Sequence, residues 1–520
     1  MHSGSSSGQI EMPRVSADDV IADFLAAAQD WPARVAVQHG ELVLTYRELA
    51  QLVADAAACH RLGRSGTDGE SRPIGVVVSH TPSAVVQLLS VLHAGDTYCP
   101  IEATLPDARK RALAAALGLK QLYAADAVTD AAIGIHSGTA ESADAQHRPA
   151  ASLPSDSAYV LCTSGSTGTP KPVVVSRQAL SITVRALRRL FGLTPHDRVL
   201  QFASLGWDTC LEEILPTLSS GAALVFDEEA HARSMPRFVR MLAEREITVL
   251  DIPTAFWHEL VLYLDETQTS LPHTVRVVVI GGERVDPTRL RQWRERDLRR
   301  VRLLNTYGCT ETTMITHAAQ LSGPGTDPHI AAAGAQPPLG SSLPHVVDHV
   351  TERGELLVSG PSLATGYLGM PEATAAAFEI ADHGDGPRRW FHTGDLVVRG
   401  SHGLLHSLGR ADEELKVLGV RVHPAEVEAH LNTHPAVAGS VVVGEHTLGR
   451  MSLTACVALT ATTSAAELKQ FLRERLPSQF VPARVKVVAA LSYTDTGKID
   501  RQATWRAAAE FCGKGSTDGH

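Results

Sequence analysis

LCTSGSTGTPKPVVVS, at residues 161–176, is the stretch that most restricts the fold of this chain. Glycines and hydroxyl side chains fill a loop between two apolar runs, and Lys171 adds a positive charge. Backbone N–H groups, hydroxyls and a lysine are the donors that bind the phosphates of a nucleotide. A polar surface turn of the same composition is the alternative interpretation.

The lysine of this loop does not fit a Walker-type P-loop, in which GxxxxGK[ST] opens a helix. Pro172 follows Lys171 directly, and a residue before proline favours extended geometry. The apolar run VVV comes next, as in a buried strand. We therefore expect the loop to join two strands.

Apolar runs alternate with helical segments on both sides of this loop. The runs are short enough to be buried strands, and arginine-rich helical stretches separate several of them. This alternation predicts an α/β fold of βαβ units, with parallel sheets whose faces are covered by helices. The runs are PIGVVVSH (73–80), VLQFAS (199–204), ALVF (223–226), ITVLDIP (247–253), VRVVVIGG (275–282) and RLLNTYG (302–308).

The later part of the chain has a different pattern. From about residue 337 to 408, Gly and Pro punctuate short strands without long helices, which indicates a smaller β-rich subdomain. After residue 409, helical and strand-like segments follow one another in a length that suits a small α+β domain. The Ala-, Ser- and Asp-rich segment 124–157 is predicted to be a surface connection.

Composition limits the classes of function. The chain has 520 residues, 44% of them hydrophobic, as expected of a soluble globular protein with more than one domain. A net charge of −10 argues against nucleic acid or an acidic membrane surface as the partner. No apolar run is long enough to span a membrane, and the N-terminus lacks the features of a secretory signal. The cysteines never show CxxC spacing, which argues against structural zinc and disulfides and favours the cytoplasm.

Further motifs lie on both sides of the glycine-rich loop in a fixed order. Together they resemble the adenylate-forming superfamily, which contains acyl-CoA synthetases, luciferases and the adenylation domains of non-ribosomal peptide synthetases. The resemblance runs from about residue 20 to 505. The motifs are LTYRELA (44–50), SVLHAGDTYCPIEATLPDAR (90–109), the loop itself, NTYGCTE (305–311), FHTGD (391–395), GRADEELKVLG (409–419) and TDTGKIDR (494–501).

The resemblance implies a luciferase-like fold with a mobile second domain. Residues 19–409 would form the large N-terminal domain, with the β-rich subdomain at 337–408, and residues 413–506 the mobile C-terminal domain. Residues 410–412 would be the hinge, with Asp412 at the position where the family rotates its small domain. Residues 1–18 and 507–520 are expected to be tails.

The same resemblance implies ATP and Mg²⁺ as cofactors. Lys498 would bridge the α-phosphate and the substrate carboxylate, Thr310 would contact the α-phosphate, and Glu311 would hold Mg²⁺. Tyr307 would stack on adenine and Asp395 would accept the ribose hydroxyls. The other nucleotide contacts implied are Thr163, Ser164, Gly165, Ser166, Thr167, Gly168 and Lys171 in the loop, and Gly282, Glu283, Asn305, Thr306 and Arg410 elsewhere.

The stretch SLGWDTCLEEI (204–214) resembles the motif by which amino-acid-activating members bind the ammonium of their substrate. Asp208 would pair with that ammonium, although capping of the following helix is the other interpretation. Glu212 is the one acidic group in an otherwise apolar or small side-chain pocket, which suggests a polar or cationic substrate unless Glu212 is solvated. The pocket residues implied are Thr209, Glu212, Leu250, Val278, Ile280, Thr306, Met314 and Ile315.

The sequence departs from the family pattern at a few positions. Pro172 replaces the usual Gly, Cys309 the usual Pro, and His392 an Arg, while the charged and hydroxyl groups with direct roles are retained. We therefore expect an active enzyme with altered loop stiffness.

The expected reaction is ATP- and Mg²⁺-dependent conversion of an amino acid to its acyl-AMP with release of pyrophosphate. About twenty residues follow Arg501 without a GGxSL-type carrier segment, so the acceptor is expected to be external, as the phosphopantetheine thiol of a separate carrier protein would be. Coenzyme A or a free amine are the alternative acceptors. An acyl- or aryl-CoA ligase, an amide-forming ligase and a non-catalytic nucleotide-binding protein are the alternative functions.

Overall fold

A computed structural model describes most of the chain. The described residues are 19–62, 71–119, 121–124, 141–142, 153–163, 170–296, 298–332, 337–400, 402–411, 414–447, 450–492 and 501–514. The surface connection predicted at 124–157 lies largely outside them. Among the described residues, no helix combines the length and the apolar character that crossing a bilayer requires.

The helices of the described residues alternate with strands through the first 300 residues and become sparse afterwards. They are α1 (Val20–Asp30), α2 (Tyr46–Leu62), α3 (Pro82–Ala94), α4 (Asp107–Ala116), α5 (Arg177–Phe191), α6 (Thr209–Leu218), α7 (Met235–Glu244), α8 (Thr254–Thr267), α9 (Pro287–Glu295), α10 (Pro328–Ala332), α11 (Pro371–Ala377), α12 (Pro424–Leu431), α13 (Ala465–Arg473) and α14 (Arg501–Lys514).

The strands are mostly short, as the sequence predicts. Those of the first half are β1 (Val35–His39), β2 (Leu42–Thr45), β3 (Pro73–Val78), β4 (Thr97–Glu102), β5 (Gln121–Ala124), β6 (Glu141–Ser142), β7 (Ser157–Thr163), β8 (Lys171–Ser176), β9 (Arg198–Leu200), β10 (Ala223–Phe226) and β11 (Val249–Pro253). The next are β12 (Val277–Gly281), β13 (Arg302–Gly308), β14 (Ile315–Ser322), β15 (Ser341–Ser342), β16 (Val347–Val350), β17 (Glu355–Ser359), β18 (Gly366–Tyr367), β19 (Phe378–Asp382), β20 (Pro387–Arg399) and β21 (Leu405–Arg410). The last are β22 (Leu415–Val417), β23 (Val420–Val422), β24 (Val437–Thr447), β25 (Arg450–Leu459) and β26 (Arg484–Val488).

Two large sheets form the body of the molecule. A nine-stranded sheet has the order β15-β14-β13-β12-β11-β9-β10-β1-β2, and a seven-stranded sheet has the order β18-β8-β7-β4-β3-β5-β6. The inner pairs β10–β9, β9–β11, β11–β12 and β12–β13 are parallel, as are β5–β3, β3–β4 and β4–β7. The α/β fold with parallel sheets, predicted from the alternation of runs, is confirmed.

The predicted runs coincide with these strands, with shorter bounds in places. ALVF and RLLNTYG match β10 and β13 residue for residue. VLQFAS is strand only to Leu200, because the chain then leaves the sheet to approach α6. After β3, Thr81 occupies the N-cap of α3, although its side chain makes no capping bond to the described backbone, and Gly95 ends the helix at φ 83°.

Smaller sheets complete the fold. The strands β16, β17, β19, β20 and β21 form an antiparallel sheet within the β-rich stretch. Beyond it, the hairpin β22–β23 and the sheet β24-β25-β26 pack with α12 and α13 around a separate apolar core. We call residues 415–422, which contain β22 and β23, the docking hairpin. Its position against the large sheets builds one side of the site described next.

Candidate active site

The glycine-rich loop leaves and re-enters one antiparallel strand pair. Thr163 at the end of β7 lies opposite Lys171 at the start of β8, so the loop joins two strands as predicted. The Thr163 hydroxyl donates to the Lys171 carbonyl at 3.5 Å. The Lys171 ammonium lies 5.5 Å from the centre of the Tyr367 ring. The intervening candidates Ser164, Gly165, Ser166, Thr167 and Gly168 lie outside the described residues.

Glu311 is the centre of a buried polar cluster just after β13. One of its carboxylate oxygens accepts a hydrogen bond from the Tyr367 hydroxyl at 3.1 Å, and the other pairs with Arg421 at 3.2 Å. The side chain of Glu311 is 3% exposed. Arg421 belongs to the docking hairpin, so this ion pair joins the small domain to the large one.

Asp395 forms a second paired carboxylate. It lies on β20 opposite Arg410 of β21, and the Arg410 guanidinium donates to it at 3.0 Å. The Tyr307 hydroxyl donates to its other oxygen at 2.6 Å. Three residues assigned by resemblance to the nucleoside part of ATP are thus brought together by hydrogen bonds.

The docking hairpin packs beside this cluster, over the ring of Tyr307. The Lys416 ammonium lies 5.5 Å from the centre of the Tyr307 ring, and burial lowers the pKa of Lys416. The Gly419 N–H donates to Glu283 at 3.1 Å. A Cβ at Gly282, which has φ 85°, would lie 2.9 Å from the Cα of Gly419, so glycine is required for this close approach.

The side chains of the two remaining nucleotide-binding candidates, Asn305 and Thr306, donate hydrogen bonds to backbone carbonyls. The Asn305 amide donates to the Pro338 carbonyl at 2.7 Å, and the Thr306 hydroxyl donates to the Ile280 carbonyl at 2.9 Å. Both side chains are buried. Asp412 and Lys498 lie outside the described residues, so the hinge and the catalytic lysine stay predictions.

Glu311 fits the role of a magnesium ligand. A protein often supplies one carboxylate to Mg²⁺ and leaves the remaining positions to phosphates and water. Both oxygens of Glu311 have a partner in this arrangement, the Tyr367 hydroxyl at one and Arg421 at the other. A metal ion at Glu311 would have to share or displace one of these partners.

Asp208 does not serve as a helix cap. It stands at the N-cap of α6, yet its side chain makes no capping hydrogen bond within the described chain. Thr310 lies close enough to influence the pKa of Asp208, while the Oδ2 atom of Asp208 is buried with no hydrogen-bond partner among the described residues. Burial is the main cause that raises the pKa of Asp208 to about 6. These facts favour the ligand-binding interpretation over the capping one.

Glu212 lies one helical turn further along α6 and is not solvated. It is 7% exposed, and burial together with Asp251 and Asp208 raises its pKa well above the ordinary value. Asp251 lies on β11, and its carboxylate is within hydrogen-bonding distance of Glu212. We call Asp208, Glu212 and Asp251 the acid cluster.

Asp251 is a neighbour of Glu212 that the sequence interpretation did not single out, because the adjacent Leu250 was assigned to the pocket instead. A carboxylate inside the apolar strand ITVLDIP was the available signal. Side chains alternate along a strand, and Asp251 faces α6. Its neighbour Leu250 packs on the other face of β11, in a second apolar core of the large domain that contains Trp257 and Trp293.

The structure places the residues predicted for the side-chain pocket on different faces of the sheet. Leu250, Val278 and Ile280 pack in that second core, whereas Val279 of the adjacent strand packs on the α6 side with Leu211. The alternation of β11 and β12 is the physical reason, because a shift of one residue moves a side chain to the opposite face. The other assigned residues are Thr209, exposed at the start of α6, and Thr306, Met314 and Ile315, which are buried.

The departures from the family pattern have local partners. Pro172 lies within β8, where its carbonyl accepts from the Leu368 N–H at 2.8 Å. The Cys309 thiol contacts the Thr312 hydroxyl at 3.3 Å. His392 lies between Glu355 and Glu379, at 3.3 and 3.2 Å. All three positions are therefore accommodated without loss of the clusters described above.

Two family profiles match this chain. The family profile of AMP-binding enzymes matches residues 24–368, and the profile of the AMP-binding enzyme C-terminal domain matches residues 426–498. The first match covers well over half of the chain.

Curated relatives include multidomain peptide synthetases. The isonitrile lipopeptide synthase of Streptomyces coeruleorubidus is 38% identical over 484 residues, which cover 90% of this chain and 32% of that protein. The phosphinothricin tripeptide synthetase PhsC of Streptomyces viridochromogenes is 34% identical, with 92% of this chain and 44% of that protein covered. The chain thus spans less than half the length of these two relatives.

Solved structures share the fold. The artificially fused adenylation–PCP di-domain NpsA-ThdA of Klebsiella oxytoca matches with a TM-score of 0.75 at 24% identity, covering 90% of this chain and 93% of that one. The amide bond synthetase McbA of Marinactinospora thermotolerans matches with a TM-score of 0.77 at 23% identity, covering 95% and 99%. At this level of identity the likeness shows the architecture alone.

Proposed function

Because this chain belongs to the AMP-binding enzymes of the adenylate-forming superfamily, we propose that it activates an amino acid as its aminoacyl-AMP and passes it to the thiol of a separate carrier protein. The observation that carries the proposal is Asp208. Its buried oxygen has no partner among the described residues, and an unpaired buried carboxylate is unfavourable unless a ligand supplies the cation. The α-ammonium of an amino acid is such a cation.

The paired clusters suit the nucleotide. Thr163 and Lys171, with Ser164 to Gly168, would bind the β- and γ-phosphates, and Thr310 the α-phosphate. Glu311 would hold Mg²⁺, which neutralises phosphate charge when it is bound. The remaining contacts would be Tyr307, Gly282 and Glu283 at adenine, with Asn305 and Thr306 behind them, and Asp395 and Arg410 at the ribose.

Acyl-AMP formation joins the substrate carboxylate to the α-phosphate while pyrophosphate leaves. The chain would act mainly by positioning two anions and by placing positive charge where negative charge develops. Lys498 would supply that charge between the carboxylate and the α-phosphate. Asp208 and Thr310 lie close to each other, so the groups proposed to bind the amine and the α-phosphate are neighbours in the site.

A cavity between the domains supports a thiol acceptor. It is lined by Arg109, Cys162 and Trp207 of the large domain and by Pro477 and Gln479 of the small one. Trp207 directly precedes Asp208 in the chain, so one wall of this cavity lies next to a proposed substrate contact. A narrow, flexible arm such as phosphopantetheine suits an opening between two domains better than a bulky amine does.

A substrate panel tests the function. ATP–pyrophosphate exchange should be driven by at least one amino acid, while aryl and fatty acids should be much poorer. Exchange driven by plain carboxylic acids would indicate an acyl-CoA ligase, and the absence of exchange with every acid would indicate a non-catalytic protein. Incubation of the loaded enzyme with a phosphopantetheinylated carrier, coenzyme A or an amine then identifies the acceptor.

A further inference from the structure

We propose that the amino acid carries a second cationic group, at the end of its side chain, which binds between Glu212 and Asp251. The inference rests on the proposed function, because it names the class of substrate for the same site. Two carboxylates lie together there, polar groups without a described partner surround them, and Asp208 is one helical turn away.

The pair itself is the first element. Glu212 is in the first turn of α6 and Asp251 is in the middle of β11, so a helix and a strand each direct one carboxylate to the same place. Two carboxylates in contact need a shared proton or a shared cation. Burial, and the negative charge of the partner in the case of Glu212, raise the pKa of both groups. Asp251 has one oxygen that is buried and without a partner within the described chain.

An independent neighbour points to a ligand at the same place. Tyr159 of β7 is 1% exposed, and its hydroxyl finds no hydrogen-bond partner in the part of the chain that the structure describes. Asp208 and Glu212 are both close enough to raise the pKa of Tyr159. A buried hydroxyl beside two carboxylates, yet bonded to neither, is a group that a polar ligand can satisfy.

The contrast with Glu213 shows that burial alone does not leave an acid unpaired. Glu213 is 1% exposed and accepts from the backbone N–H groups of Phe202 and Ala203 and from the amide of Gln201. By contrast, the strongest charge influences on Glu212 come from Asp251, Asp208 and Glu213, all acidic. The chain therefore satisfies its structural carboxylate and leaves the pocket pair to a ligand.

The spacing fits a substrate with two positive ends. Side chains four residues apart on a helix, such as Asp208 and Glu212, are about 6 Å apart. With the α-ammonium at Asp208, a side chain of a few carbon atoms would carry a second ammonium, or a guanidinium, to Glu212 and Asp251. A basic or diamino acid meets both requirements, and a neutral acid of equal length meets only the first.

The test compares cationic amino acids with neutral isosteres. ATP–pyrophosphate exchange is measured with diaminobutyrate, ornithine, lysine, arginine, norleucine and glutamine on the unmodified enzyme. We expect one of the first four to exceed both neutral acids at least a hundredfold in kcat/KM. The best of the four also tells whether the distal group is an amine or a guanidine.

Two isosteric variants locate the recognition. Glu212→Gln and Asp251→Asn should each lower kcat/KM for the cationic substrate at least tenfold, mainly by raising KM. Both variants should raise kcat/KM for the neutral isostere. Glu266→Gln, the same chemical change at an exposed position, should alter neither. A thermal melt of each variant checks that the protein is folded.

The outcomes separate the two proposals. If no acid drives exchange, the proposed function fails and this inference fails with it. Neutral amino acids could give the same kcat/KM as the cationic ones, or the folded variants could keep the order of preference among the substrates. In either case amino-acid activation stands and the proposed second cation site is wrong.

Discussion

The nucleotide half and the acid half of the site differ in how their buried charges are balanced. In the nucleotide half, Asp395 is paired with Arg410 and Glu311 with Arg421. In the acid half, the acid cluster meets no arginine or lysine in a described ion pair, and two of its members keep an unpartnered oxygen within the described chain. The same protein thus pairs the carboxylates of one half with arginines and leaves those of the other half without such a partner among the described residues.

The difference follows from what each half binds. ATP is the same for every member of the family, so its binding groups can be held in place before it arrives. The acid is what distinguishes one enzyme from another, and a site for a cation must keep its own charge unneutralised until the cation binds. Unpaired buried carboxylates therefore mark the part of the site that selects the substrate.

The largest effect we expect is at Lys498, which belongs to neither half. Lys498→Ala should lower the rate of pyrophosphate exchange about a thousandfold, about 4 kcal/mol, because the lysine acts on the transition state. ATP binding, measured by calorimetry, should be nearly unchanged. Lys486→Ala, also in the small domain, is the control. A Lys498→Ala enzyme that keeps more than a tenth of the exchange rate would remove the lysine from this role.

The next largest effect is on the free energy of unfolding, and it tests whether the carboxylate of Asp208 lacks a compensating cation. The pKa of Asp208 rises from 3.8 to about 6 on folding, so the folded protein favours the neutral acid. Stability is therefore lost as the pH rises from 3.8 towards 6, and above 6 the loss is complete. Asp208→Asn should then stabilise the ligand-free protein by about 3 kcal/mol at pH 8 and by about half of that at pH 5.

Urea unfolding of both proteins at the two pH values measures this gap. A gap that is the same at pH 5 and pH 8 would show that ionisation of Asp208 is not the cause. In that case the buried charge of the acid half would be as well compensated as that of the nucleotide half.

The hinge prediction separates the two half-reactions. Proline fixes φ, so Asp412→Pro should hold the small domain in one arrangement. Transfer to pantetheine should fall at least tenfold, about 1.4 kcal/mol, while pyrophosphate exchange stays near normal. Hydroxylamine trapping, which needs no domain movement, serves as the control. An equal loss in both half-reactions would place the hinge elsewhere.

The smallest effect is expected at Arg421, in the nucleotide half. Arg421→Gln removes the cation that pairs with Glu311, the proposed ligand of Mg²⁺. The magnesium concentration for half-maximal exchange should fall about threefold, about 0.7 kcal/mol. Arg421→Lys keeps the charge and should behave more like the unmodified enzyme. An unchanged magnesium dependence in Arg421→Gln would show that the ion pair does not limit metal binding.

The sequence predicted the fold well because its signals are local. The run RLLNTYG became β13 without change, and the proline after Lys171 correctly indicated a strand after the loop. Tyr307 is 88 residues from Asp395 in the chain, yet the resemblance grouped it with Asp395 and Arg410, and the structure brings the three within hydrogen-bonding distance.

The acid pocket was harder to predict because it depends on which face of a strand a residue occupies. Periodicity identified β11 as a buried strand but did not say which side faces α6, so Leu250 was chosen and Asp251 was missed. The role of Arg421 also needed the structure, because its partner Glu311 is 110 residues away in sequence. Contacts between domains leave no periodic signal.

The central claim is that Asp208 reads the amine of an amino acid. It is tested most directly by pyrophosphate exchange with the best amino acid and its des-amino analogue, on the unmodified enzyme and on Asp208→Ala. We predict a preference for the amino acid of at least a hundredfold in the unmodified enzyme. In Asp208→Ala that preference should largely disappear, through a loss of about 3 kcal/mol or more in activation of the amino acid. Equal exchange with both acids in the unmodified enzyme, or a preference that survives Asp208→Ala, would contradict the account.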